Sequence, residues 1–259
     1  MGYGLFVISL SLARISGSSY YTVVVIYETK FNRMEIKKHW WKIVCVLLLF
    51  YTIMAGFLIE VPRMPILNET IRNLFFHVTM WFSMIVLLLI SVVNSIRYLS
   101  SQKQSHDITA SEAVNTGVFF GVLGLLTGSV WARYTWGAWW TNDAQLNGAA
   151  VTMLAYLAYI VLRNSIEEEQ KKARISAVYN IFAFVMMLVF IGVLPRMTDS
   201  LHPGKGGNPG FNTYDMDSQL RMVFYPALIG FILLGIWIMQ LKIRLKKIEN
   251  LKQNEAIHC

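Results

Sequence analysis

Six apolar runs, each of about 20 residues, set the pattern of the chain. They cover approximately Ile43–Ile59, Leu74–Ile96, Ala113–Trp131, Leu146–Leu162, Ile175–Leu194 and Met222–Leu241. As helices rising about 1.5 Å per residue, each is long enough to cross a bilayer core of about 30 Å. Short polar connections make neighbouring helices antiparallel. The pattern predicts an all-α polytopic membrane protein, a six-transmembrane-helix bundle with a tryptophan-rich external loop between spans three and four. Span three carries Gly117, Gly121, Gly124 and Gly128, and their spacings of four, three and four draw one stripe of small residues. Such a stripe lets two membrane helices approach closely. Residues 1–33 read as an N-terminal extension, because Arg14 and Ser16-Gly-Ser-Ser19 break their apolar patches near Gly4–Leu12 and Tyr20–Tyr27. An alternative start at Met34 is expected, since Met34 to Lys42 reads as a lead-in to a first span. The competing reading is an extra, weakly inserted segment. Residues 34–245 form the six-span domain, and 246–259 a basic tail continuing the sixth helix.

Composition agrees with burial in lipid. Charged residues are 15% of the chain and the mean hydropathy is +0.47, whereas soluble domains carry about 25% charge. The net charge of +8 would suit nucleic acid, but the basic residues sit at the ends of apolar runs and instead indicate orientation. Lys37, Lys38, Lys42, Arg97, Lys103, Arg163, Lys171, Lys172, Arg174 and the basic tail fall on one side. Arg63, Arg72, Arg133, Arg196, Lys205 and Arg221 fall on the other. The excess places the start of span one and the C-terminus in the cytoplasm, and the Trp-rich loop outside. Cys45 and Cys259 provide no disulfide framework, and the lack of Cys-x-x-Cys argues against thiol redox chemistry and covalent c-type haem.

The candidate chemistry gathers at the outer face. Trp131, Trp136, Trp139 and Trp140 crowd one short stretch. If that stretch is helical, Trp136, Trp139, Trp140 and Asp143 share a face at i, i+3, i+4 and i+7. Of five histidines, only His77, at the outer end of span two, and His202, in the loop after span five, lie on the same side. Each feature has an ordinary explanation: tryptophans anchor at interfaces, Asp143 caps the next helix, and loop histidines are solvated. Anchoring does not require both histidines beside the tryptophans. Two imidazoles can ligate a haem iron from both sides, with aromatic rings against the porphyrin. Arg63, Arg72, Arg133, Arg196 and Arg221 are on the correct side for its propionates. A closed zinc site would need further ligands, a transporter would show ionisable groups at mid-span, and any ATP hydrolysis belongs to a partner, since there is no Walker motif.

Trp136-Gly-Ala-Trp139-Trp140-Thr-Asn-Asp143 resembles the tryptophan-rich "WWD" motif of the haem-handling proteins of cytochrome c maturation. Within that superfamily the chain is most similar to the six-span haem exporter protein C family, CcmC, from about Met34 to the end of span six. Trp136, Gly137, Trp140 and Asp143 match the pattern W-G-x-x-W-x-W-D, while Asn142 replaces its last tryptophan. The resemblance implies that His77 and His202 are the axial ligands of a transiently bound, non-covalent haem b. It makes Trp136, Trp139 and Trp140 the platform beside Gly137, with Asp143 orienting the loop or an arriving chaperone. The implied partners are the haem chaperone CcmE, the ABC-type CcmA and CcmB, and the small membrane protein CcmD. The implied location is a bacterial inner membrane, and the expected role is haem transfer and not enzymatic catalysis. Two alternatives stand beside it: a CcsA-type synthase that attaches haem to apocytochrome, and a permease subunit without haem.

Overall fold

The computed structural model describes residues 8–13, 21–26, 33–62, 67–202 and 216–258, with side chains from His39 to Gln253 within those ranges. The chain divides into two units, Met1–Ile43 and Val44–Cys259. In the first, strands β1 (Ile8–Ala13) and β2 (Tyr21–Ile26) pair antiparallel, from Ile8 opposite Ile26 to Ala13 opposite Tyr21. Their sequences explain this. Ile8-Ser-Leu-Ser-Leu12 alternates with period two, and Val23-Val24-Val25 is β-branched. Six residues per strand fall short of the roughly 9–11 of a membrane-crossing strand. Arg14 and the Ser16–Ser19 segment lie outside the described residues.

Among the described residues, six helices are long and apolar enough to cross a membrane, so the chain is a multi-pass membrane protein. They are α1 (Arg33–Leu58), α2 (Thr79–Ser101), α3 (Gln104–Trp136), α4 (Ala144–Asn164), α5 (Glu169–Met187) and α7 (Ser218–His258). A 3-10 turn, Asn68–Asn73, and a π-helical turn, Leu74–Val78, lead without a break into α2. A second π-helical turn, Leu188–Val193, joins α5 to the short α6 (Leu194–Met197). Helix α7 has 41 residues, so it is about 60 Å long and outlasts a bilayer core of about 30 Å.

The glycine stripe of α3 receives α2 residue by residue. A Cβ on Gly117 would meet Leu88 at 3.1 Å, one on Gly121 would meet the Met84 sulfur at 2.8 Å, and one on Gly124 would meet Trp81 at 2.9 Å. One on Gly128 would meet the His77 ring at 2.5 Å. Steps of four, three and four upward on α3 are answered by the same steps downward on α2, which is antiparallel close packing through small residues. The stripe therefore does more than join two helices, because its last member makes room for His77.

Two further contacts compensate breaks in the hydrogen-bond ladder or bury charge. Pro226 inside α7 has no N–H for the carbonyl of Met222, and the Tyr51 hydroxyl donates to that carbonyl at 3.3 Å. At the end of the bundle opposite the Trp-rich loop, the Arg163 guanidinium grips Asp107 in a two-pronged pair of 2.8 and 2.6 Å, with side chains only 16% and 10% exposed. Removing one partner strands the other in a low-dielectric setting. Asp107→Ala is expected to cost roughly 3–5 kcal/mol, read as a large fall in melting temperature in detergent. Little change would show that the pair is solvated.

Candidate functional site

Helix α3 ends at Trp136 because Gly137 takes φ +79°, the left-handed conformation that stops a helix without steric cost. Residues 137–143 are loop, and α4 starts at Ala144. This corrects the helical reading of the stretch: Trp136, Trp139, Trp140 and Asp143 do not share a helix face. The loop is tied down locally. The Ser129 hydroxyl donates to the Trp139 carbonyl at 2.8 Å, and the Arg133 guanidinium donates to the Gly137 carbonyl. Asn142, standing where the motif has tryptophan, accepts from the Asn147 amide at 2.8 Å, and Asn147 accepts the Trp140 indole N–H at 3.3 Å. Trp139 and Trp140 are 59% and 43% exposed, so both present indole surface outward.

Asp143 is the buried centre of this end, only 3% exposed. Its Oδ1 accepts from the N–H groups of Gln145 at 2.9 Å and Leu146 at 3.2 Å, which caps α4. The same carboxylate reaches across to the loop after α6. Oδ2 accepts from the Leu201 N–H at 2.6 Å, and Oδ1 lies 3.0 Å from His202 Nδ1. Capping and gripping His202 are both true of this residue. Burial pushes the Asp143 carboxyl up, but hydrogen bonds from Leu201 and Ser200, the nearby His202 and the Leu146 N–H outweigh it and hold the group below the usual carboxylate range. Burial pushes the His202 imidazole below its ordinary value, against the opposing pull of Asp143. His202 is therefore neutral at pH 7, and its ring meets the Trp136 ring edge to face at 5.2 Å.

His77 is held differently, inside the π-helical turn Leu74–Val78. Its Nδ1 is 3.0 Å from the Gly124 carbonyl and 3.2 Å from the Thr127 hydroxyl, both on α3. Trp131 and Trp81 stand edge-on to the ring at 5.7 and 6.4 Å. Trp131 is fixed by its indole N–H to the Thr70 hydroxyl at 3.1 Å.

The two rings share one chemical arrangement. A carbonyl or a carboxylate can only accept, so Nδ1 of each neutral ring carries the proton. The lone pair is then on Nε2 in both. A backbone carbonyl or carboxylate on the far nitrogen is the support that orients metal-ligating histidines and raises their basicity.

Of the arginines expected on the side of the Trp-rich loop, Arg72 is committed to Glu69 at 2.7 Å and to the Gly56 carbonyl at 2.9 Å. Arg133 and Arg196 donate to the carbonyls of Gly137 and Gly192. Arg221 has a buried Nε with no partner among the described residues, and Arg63 and Lys205 lie outside them. Trp81, Trp131 and Thr127 surround His77; Trp131 opens the Trp-rich stretch, whereas the sequence marks neither Trp81 nor Thr127 as a site residue. Trp81 stands one helical turn beyond His77, and Thr127 beside the glycine stripe, which is the only signal either leaves.

A sequence profile of the family described as heme exporter protein C matches residues 25–258. The chain belongs to the heme exporter protein C family. It is 25% identical to the heme exporter protein C of Paracoccus denitrificans over 68% of this chain and 73% of that protein. It is 23% identical to the Rhodobacter capsulatus protein of the same name over 73% and 80% of the two chains. A cytochrome c biogenesis protein CcsA of Prochlorococcus marinus is 30% identical over a shorter stretch, 36% of this chain and 29% of its own. The family assignment makes the supported pair of Nε2 nitrogens the feature of greatest interest at this end of the bundle.

Substituting Gly128 tests how closely His77 is placed. In Gly128→Ala the new methyl sits 2.5 Å from His77 Cε1 and the ring must leave the Gly124 carbonyl. Overpacking of this kind costs about 1–3 kcal/mol. The expected result is a folded protein with reduced ligand binding at His77. Gly137→Ala is the comparison, since open space surrounds Gly137 and only its backbone conformation resists. It should cost about 1 kcal/mol and disturb the loop, not His77.

Proposed function

We propose that this protein holds haem at the extracytoplasmic face of a bacterial inner membrane during cytochrome c maturation and passes it to the haem chaperone CcmE. The observation that carries this reading is the matched pair of imidazoles, each with Nδ1 engaged and Nε2 bearing the lone pair. His77 and His202 then supply the two axial ligands, and the haem b cargo is held without a covalent bond. Trp136 steadies His202 through its ring edge. The outward surface of Trp139 and Trp140 is available to porphyrin or to the arriving chaperone. Asp143 positions His202, and Arg221, whose buried Nε has no partner among the described residues, is a candidate to meet a propionate. The protein acts as a handler and not as an enzyme, with ATP hydrolysis by CcmA in company with CcmB and CcmD. The excess of Lys and Arg at the opposite end supports cytoplasmic termini.

The test is the absorption spectrum of the purified protein, followed by co-expression with CcmA, CcmB, CcmD and CcmE. Bound haem and chain-dependent loading of CcmE are expected, and a colourless protein with CcmE loaded in its absence would overturn the reading. Covalent haem on apocytochrome from this chain alone would instead favour a CcsA-type synthase.

Acid should release the cargo in a defined window. The folded pKa of His202 lies below its ordinary value of about 6.5, so the neutral, ligating form persists below the pH at which a free imidazole charges. Retention is expected to be flat from pH 8 through about 6.5 and to fall below it. Loss beginning well above that value contradicts the assignment. The neutral, buried ring also makes folding less favourable as pH drops below about 6.5, because the unfolded chain takes up its proton first.

A further inference from the structure

In the half of the bundle opposite the Trp-rich loop, helices α4 and α5 leave a groove between them that haem binding does not use. It holds about 540 Å³ and is lined by Leu162 of α4 and by Arg174, Ile175, Val178, Tyr179 and Phe182 of α5. Sites for small molecules run from about 300 to 1,000 Å³. The α5 residues fall at i, i+1, i+4, i+5 and i+8, one helical face about 12 Å long. The Tyr179 hydroxyl donates across to the Ala155 carbonyl of α4 at 3.1 Å, so the polar tip of this residue is spent on joining the two helices. Arg174 is then the one charged side chain among the six. Val178 and Phe182 are 56% and 61% exposed, so the groove opens sideways from a membrane-crossing helix, towards lipid.

The groove has a direction. Ile175 begins the apolar run of α5, Arg174 stands immediately before it, and Lys171 and Lys172 come one turn earlier. A cationic end at the membrane boundary therefore leads into an apolar body pointing towards the bilayer centre, which is the polarity of a phospholipid. Two of the carboxylates at this end are matched already, Asp107 by Arg163 and Glu169 by Lys172, each at 2.6 Å. Glu168 and Glu167 precede α5, and Glu168 is six residues or about 9 Å along the axis from Arg174. Bulk lipid tails are as apolar as the groove, so any preference rests on the headgroup. A zwitterionic headgroup brings its own ammonium up to the Arg174 guanidinium, whereas an anionic one brings only negative charge.

We propose that the α4–α5 groove binds an anionic phospholipid, with its phosphate on Arg174 and one acyl chain along Ile175, Val178 and Phe182. The excess of Lys and Arg assigns this end to the cytoplasm, where the leaflet carries anionic lipid. Native mass spectrometry of the delipidated full chain, with phosphatidylglycerol and phosphatidylcholine of identical acyl chains in competition, tests it. Phosphatidylglycerol is expected to be held about fivefold more tightly, the worth of one basic side chain near an anionic headgroup. Arg174→Gln is expected to bring the two lipids to parity, and Arg174→Lys to keep most of the preference. Lys247→Gln, which removes the same charge from an exposed position on α7, is expected to leave the preference unchanged. Val178→Trp fills the groove and is expected to weaken both lipids alike. A preference that survives Arg174→Gln overturns the proposal, and so does one that Lys247→Gln erases equally, the mark of a diffuse basic surface. Unchanged lipid binding in Val178→Trp removes the acyl chain from the groove and overturns it too.

Discussion

Replacing either histidine with alanine is expected to lower haem affinity by more than about tenfold, since even changes behind a metal ligand cost about 10–100-fold. The two variants should differ in stability. His77 is wedged between Trp81, Trp131 and the glycine stripe, and its Nδ1 bonds α2's lead-in turn to α3. His77→Ala leaves a hole there and should cost roughly 1–3 kcal/mol. His202 touches the bundle through Asp143 and Trp136. Its loss leaves Asp143 still bonded by Leu201, Gln145 and Leu146, so His202→Ala should melt close to the parent. Haem titration and thermal melting on the same preparations check both halves. Equal, unchanged haem content in the two variants would remove the ligands from the account.

Asp143→Ala is expected to have the next largest effect, because one carboxylate serves two elements. It caps α4, a loss of about 1 kcal/mol. It also satisfies the Leu201 N–H, and a donor left unpaired there costs about 1–3 kcal/mol more. The sum, roughly 2–4 kcal/mol, falls on the Trp-rich end of the bundle. With His202 released, haem affinity should drop by about 10–100-fold. Asp143→Asn separates the roles. Asparagine caps a helix about as well as aspartate, so α4 keeps its start. Its NH2, standing in for Oδ2, only donates, so the Leu201 N–H loses its acceptor and the loop that carries His202 is no longer held in place. Melting between the parent and the alanine variant, with weakened haem binding, is the expected pattern. Parental haem binding in the alanine variant would show that His202 does not depend on Asp143.

The bundle was legible because run length and hydropathy decide membrane crossing almost alone. The conformation of Trp136–Asp143 was not. Whether a glycine at Gly137 continues a helix or turns it left-handed depends on the loop's attachments, here Ser129, Arg133 and the Asp143 cap, and spacing carries none of these. The glycine stripe of α3 announced close packing, but not that its last member would seat His77, since α2 joins it through an antiparallel register known only in three dimensions. The π-helical turn bearing His77 has no sequence signature. The β1–β2 hairpin does have one, the alternation in Ile8-Ser-Leu-Ser-Leu12, which is short beside the membrane-length apolar runs.

The central claim is ligation of the haem iron by two histidine nitrogens of this chain. Pulsed electron paramagnetic resonance of the ferric protein, with histidine alone labelled by nitrogen-15, tests it most directly. The account predicts a low-spin iron coupled to two labelled axial nitrogens, with one coupling lost in His77→Ala and one in His202→Ala. A high-spin iron, or couplings that survive in both variants, would contradict it.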